Sequence, residues 1–225
     1  MRTNVYIDGF NLYYGCLKGT PYKWLNLEAL FDQVLPKNDI QEIHYFTARV
    51  EARPNDLEVA IRQATYLRAL ATLPRVKVHF GSFLASAVRA PVLQCGDDGK
   101  PIRENGKLVV KRKPTGAVAM EWVHKTEEKG SDVNLASHLL RDALKNASPF
   151  AVVVSNDSDL LTPIRMAQQD GGITVGLIPP RPNGSAELKR LARFKRDIRP
   201  HHLASSQFAD VLQDKVGTIT KPQGW

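Results

Sequence analysis

The sequence predicts an α/β fold with a mostly parallel central sheet and helices on both faces. Three observations carry that prediction. Strand-like and helix-like segments alternate along most of the 225 residues. The run AVVV (151–154) is apolar without interruption, as in a strand buried on both faces of a parallel sheet. The helix-like stretch behind it, the stop Gly171-Gly172 and the run ITVGLIP (173–179) then complete a strand–helix–strand unit.

Each element follows from its local pattern. TNVYIDGF opens with an apolar strand that ends at Asp8, where Gly9 breaks it. LNLEALFDQVL (25–35) spaces apolar residues at i, i+3 and i+4 behind Asn26, a cap residue, so it reads as a helix. IQEIHYFTARV (40–50) reads as the second strand. PNDLEVAIRQATYLRALATL (54–73) is a long amphipathic helix, capped by Asn55 or Asp56 and stopped by Pro74. RVKVHFGSFLA (75–85) alternates like one strand. Asp-Gly and Asn-Gly turn signals in 94–116 predict an inserted, projecting β-hairpin. A strand near 119–127 leads into SDVNLASHLLRDALKN (131–146), a strong amphipathic helix. Helices are expected at about 158–170, 185–194 and 203–213. Residues 1–214 form a single domain on this reading, and 215–225 form a flexible tail.

Composition narrows the class. At this length a core can form without disulfides or structural metal, and Cys16 and Cys95 show no paired spacing. No leader pattern opens the chain and no apolar run nears the ~20 residues of a membrane span, so a cytoplasmic protein without a membrane partner is expected. The net charge of +8 makes nucleic acid the expected polyanionic partner. A solvated basic surface without a cognate anion is the alternative.

Ligands of open α/β sheets bind outside the carboxyl ends of the strands. Asp8 ends the first strand, Asp132 starts the helix after the 119–127 strand, and Asp157 and Asp159 follow AVVV. Carboxylates gathered on one edge repel unless a cation neutralises them or some hold protons. Hard ions such as Mg²⁺ or Mn²⁺ suit oxygen ligands and activate water for phosphoryl chemistry. Asp132 and one of Asp157 or Asp159 equally suit helix N-caps. Asp8 caps no obvious helix, and an Asx turn is its structural alternative. Phosphate-binding glycine loops and the G-x-S-x-G nucleophile pattern are missing from the sequence.

VYIDGFNLYYG, EKGSDVNLASHLL and VVVSNDSDLLTPI together resemble the NYN domain family, the LabA-like branch of the PIN-like nucleases. The resemblance spans roughly residues 3–180, with Asn156 standing where Gly is common. It implies a Rossmann-like PIN/NYN fold and a metal-dependent ribonuclease. Asp8, Asp132, Asp157 and Asp159 would be its Mg²⁺ or Mn²⁺ ligands, and Asn11 an orienting group.

Lys111, Arg112 and Lys113 on the hairpin, Lys125 and Lys129 near Asp132, and Arg181 are the cations expected to hold phosphates of single-stranded or structured RNA. Tyr13 could stack a base or pack in the core. His201 and His202 lack metal-ligand spacing. An RNA-binding regulatory protein with little turnover is the alternative function, and self-association is compatible with either. An aspartyl-nucleophile phosphatase is disfavoured because Phe10 stands where its second acid belongs.

Overall fold

The structure, a computed structural model, describes residues 1–52, 56–182 and 184–225. The chain divides into two compact units, Met1–Ser82 with Glu128–Trp225, and Phe83–Glu127.

The first unit begins with β1 (Arg2–Asp8) and α1 (Gly9–Leu12), which continues into a π-helical turn (Tyr13–Leu17). There follow α2 (Leu27–Val34), β2 (Asp39–Thr47), α3 (Val59–Leu70) and β3 (Val76–Phe80). The second unit is built on β4 (Ser82–Pro91), β5 (Arg103–Glu104), β6 (Lys107–Leu108) and β7 (Met120–Lys129). The first unit resumes with α4 (Ser131–Leu144), β8 (Phe150–Val154), a 3₁₀ turn (Ser158–Leu160), α5 (Leu161–Gln169) and β9 (Thr174–Leu177). It ends with α6 (Ala186–Leu191), β10 (Phe194–Lys195), α7 (Pro200–Ser205), β11 (Val211–Gln213) and β12 (Thr218–Thr220).

Six strands make one parallel sheet in the order β10-β9-β8-β1-β2-β3. The chain winds outward from β1 to β3, then returns to β8 and winds the other way. The topological switch point therefore lies between β1 and β8, where such sheets bind ligands. Side-chain alternation sorts each strand between two cores. Val5 and Ile7 join Leu27, Leu30 and Leu70 on the α2/α3 face, while Tyr6 and Val153 join Leu135, Leu139 and Ile164 on the α4/α5 face. This is the α/β arrangement the sequence predicts.

Several boundaries differ from expectation. The segment 75–85 is not one strand: Gly81 packs against backbone at Lys129 and Ser131, and the chain passes there from β3 to β4. The predicted 94–116 hairpin is part of a larger unit, in which β4 and β7 pair as a separate two-stranded sheet. The turn signals were local and could not show that their long flanks also pair. The 203–213 stretch is the short α7 followed by β11, not one helix. The expected tail is ordered, because β12 pairs with β11, Ile219 is buried and Trp225 packs 5.8 Å from Tyr66 between ring centres. On α3, the proposed cap Asn55 lies outside the described residues, and Asp56 pairs with Arg62 rather than capping.

Candidate active site

The end of β1 is built for burial up to its last residue. Register pairs Ile7 with Val154, so Asp8 and Ser155 come opposite one another across the switch point. Alternation turns both toward the α4/α5 face, the side of Tyr6 and Val153. Asp8 is 2% exposed and Ser155 is fully buried.

A buried carboxylate needs donors, and Asp8 has three. Asn11 gives its backbone N–H to Oδ1 at 2.9 Å and its side-chain Nδ2 to Oδ2, while the Ser155 hydroxyl donates to Oδ2 at 3.1 Å. The first of these makes Asp8 the N-cap of the short α1, correcting the expectation that it caps nothing. Four residues of helix were too few to show as periodicity. Asn11 also accepts from the backbone N–H of Asn156 at 3.2 Å, tying α1 to the loop after β8. Burial raises the Asp8 carboxyl above its ordinary value, the Asn11 and Ser155 donors pull it back, and Asp157 adds a further rise.

The SNDSDL loop resolves its two aspartates. Asp157 Oδ1 accepts from the backbone N–H of Asp159 at 3.0 Å and caps the 3₁₀ turn, whereas Asp159 sits exposed within it. The Asp157 backbone N–H donates to Ser155 Oγ at 3.0 Å. One hydroxyl thus links the Asp8 carboxylate to the Asp157 backbone.

Asp132 arrives by a route the sequence did not reveal. The strand before it, β7, lies outside the six-stranded sheet, so Asp132 does not follow a sheet edge. Nor does it cap α4. Gly130 holds the cap position at φ +91, and Glu128 Oε1 accepts the Ser131 N–H at 2.9 Å. Glu128 was not singled out in the sequence; its position three residues ahead of a helix start was the available signal. Burial, followed by Asp8, Asp157, Glu128 and Asp159, pushes the Asp132 carboxyl up to about 7. Acids from three other segments, β1, β7 and the turn after β8, therefore act on Asp132.

Among the described residues, no group of three or more His, Cys, Asp or Glu side chains stands arranged to hold a metal ion. The acids offer carboxylate oxygens, the ligand type a hard divalent cation takes. Mutual repulsion, added to burial, raises the Asp132 carboxyl, and a bound cation would relieve it.

The predicted cations separate. Lys111, Arg112, Lys113 and Lys125 belong to the second unit, where Lys125 pairs with Glu127 and Arg112 Nη1 donates to Gly116 O at 2.8 Å. Lys129 and Arg181 are exposed on the first unit. With its amide turned so that the oxygen faces the Arg181 N–H, the Asn156 side chain accepts from that N–H at 3.0 Å and donates to the Arg181 carbonyl at 3.2 Å. That pairing fixes the Arg181 loop beside the turn capped by Asp157. Tyr13 packs half-buried against the core, edge-on to Tyr14. His201 is exposed and His202 half-buried, their rings in edge contact.

No family model matches the chain. A solved protein of unknown function from Vibrio parahaemolyticus shares the fold, with a TM-score of 0.51 at 15% identity, over 88% of this chain and 93% of that one. The 6-hydroxy-3-succinoylpyridine 3-monooxygenase HspA of Pseudomonas putida is 30% identical over 249 aligned residues, covering 100% of this chain and 75% of that protein. At that identity and coverage, the chain belongs to the family of the monooxygenase HspA.

Proposed function

We propose that the protein is a metal-dependent ribonuclease of the NYN/PIN-like type, hydrolysing RNA phosphodiesters at the β1/β8 switch point. The observation that supports this reading most is the buried Asp8 carboxylate at the switch point, bridged by Ser155 to the Asp157 backbone, with both acids raising the Asp132 carboxyl. Asp8, Asp132 and Asp157 would hold a Mg²⁺ or Mn²⁺ ion, with Asp159 further out. Bound there, such an ion supplies Lewis acidity to a phosphoryl oxygen and lowers the pKa of a coordinated water. Asn11 and Ser155 fix the Asp8 carboxylate, so its orientation is set before substrate arrives. Arg181, held beside the same loop by Asn156, would take a flanking phosphate.

The test is cleavage of labelled single-stranded and structured RNA with Mg²⁺, Mn²⁺ or chelator. Asp8→Asn and Asp157→Asn should each abolish product while the variants remain folded. Metal-dependent cleavage at the wild-type rate in both would overturn the assignment.

The similarity to HspA favours a second reading, oxygenation of an N-heteroaromatic acid. Supplying 6-hydroxy-3-succinoylpyridine with oxygen and a nicotinamide reductant decides between them. Hydroxylated product without RNA cleavage would establish the second. RNA binding with neither reaction would leave a regulatory protein.

A further inference from the structure

A cavity of about 520 Å³ opens on the α3 face of the first unit, its wall beginning at Gly9 and Phe10, the two residues after Asp8. It is in the size range of small-molecule sites. Its composition is specific. The aromatic rings of Tyr13, Tyr14, Tyr45 and Trp225 line it, and Lys18, Lys23 and Arg62 bring cations to it. The carboxylate side chain in the lining, Asp56, is neutralised by Arg62 through two contacts of 2.6 Å. The lysines take softer partners: Lys18 Nζ stands 5.0 Å over the Tyr14 ring, and Lys23 Nζ donates to the Gly224 carbonyl at 3.1 Å. Among the described residues, the pocket thus combines aromatic side chains with two ammonium groups bonded to no carboxylate side chain of its wall.

We propose that this cavity binds a planar aromatic ring carrying an anionic group, the ring against the tyrosines and Trp225 and the anion toward Lys18 and Lys23. Stacking on aromatic faces favours any planar ring. A ring alone would not use the lysines, and an anion alone would not use the walls. A mononucleotide and an aryl carboxylate share this chemistry. The inference does not rest on the nuclease reading, and its aryl-carboxylate arm shares its ligand class with the HspA reading.

Calorimetric titration in chelator tests the site, using AMP, UMP and nicotinate against their neutral counterparts adenosine, uridine and nicotinamide. At least one anionic probe should bind at a single saturable site, with its neutral counterpart roughly tenfold or more weaker. Lys18→Glu, an exposed change that spares the core, should weaken the anion by a similar factor and leave the neutral probe unchanged. Trp225→Ala should weaken both. Preference for the nucleotides or for nicotinate assigns the source of the ligand, and either supports the proposal. No saturable binding of any probe up to about 5 mM, or binding indifferent to Lys18→Glu, would overturn it. Probe binding that persists in Asp8→Asn while RNA stays uncut by the wild type would remove the nuclease reading alone.

Discussion

The Ser155 hydroxyl donates to the Asp8 carboxylate at 3.1 Å across the seam where the sheet changes direction. Both groups are buried, so neither can exchange its partner for water. Ser155→Ala should therefore destabilise the protein by about 1–3 kcal/mol, the usual cost of leaving a buried acceptor short of a donor. It should also lower RNA cleavage by loosening Asp8. Urea unfolding measures the first effect, and a change below about 0.5 kcal/mol would show that the contact is not maintained.

Asp132 gives stability an unusual slope. Its folded-state carboxyl titrates near 7 against an ordinary value of 3.8, so the folded protein keeps a proton that the unfolded chain has released. Stability from this group is complete below pH 3.8 and falls as pH rises toward 7. Because Asp132 is only half-buried, screening reduces the effect to about 1–2 kcal/mol. Asp132→Asn should flatten that limb in thermal unfolding and raise Tm at pH 8, while abolishing cleavage. A Tm at pH 8 unchanged or lowered by the substitution would contradict the shared acidic site.

A histidine group on the same face acts with the opposite sign. His44 Nδ1 and His79 Nε2 are 3.0 Å apart, and the His79 and His138 ring centres are 4.2 Å apart. Burial holds His44 and His79 down to about 4. For His44 this outweighs Asp142 and Glu42, whose carboxylates lie 3.7 and 3.2 Å from its Nε2, while His138 and Lys77 favour the neutral form. Around His79, the charges of His138, His44, Arg141 and Lys77 all favour the neutral ring. The unfolded imidazoles protonate near 6.5, so the stability they contribute is full above that pH and is lost as pH falls toward 4. The loss should reach about 2–3 kcal/mol, mostly from His44 because His79 is partly exposed. His79→Phe, which keeps a ring against Phe46, should make the acid limb shallower in a pH series of urea melts. An unchanged limb would refute the coupling.

Gly9 has a steric rather than a conformational role. A Cβ there would stand 2.6 Å from Tyr45 Cζ and 2.7 Å from the Phe46 carbonyl. The backbone oxygen cannot move without disturbing β2, so Gly9→Ala should cost about 1–3 kcal/mol by overpacking. It should also displace Asp8, the cap of α1. Comparable unfolding midpoints for the variant and the wild type would show that β2 yields.

The central fold was legible because its signals are local and periodic. AVVV needed only its composition to be placed in the middle of a parallel sheet, and Asn26 announced its cap, accepting the Ala29 N–H at 3.0 Å. The inserted unit was half legible. Its turns are written in Asp-Gly and Asn-Gly, but the pairing of β4 (82–91) with β7 (120–129) joins distant segments, and no local pattern encodes that.

For the candidate site, the sequence by itself determined the kinds of group available, aspartates with Asn11 and Ser155 close behind strand ends, and the number of negative charges to be accommodated. Only the tertiary structure decided their roles. Asp157 caps while Asp159 remains exposed, because the 3₁₀ turn directs the Asp159 N–H at the Asp157 carboxylate. Asp132 escapes capping because Gly130 and Glu128 take over the helix start. The charge on Asp132 depends on burial and on carboxylates from three other segments. Burial and through-space repulsion are properties of the packed chain, and no window of sequence contains them.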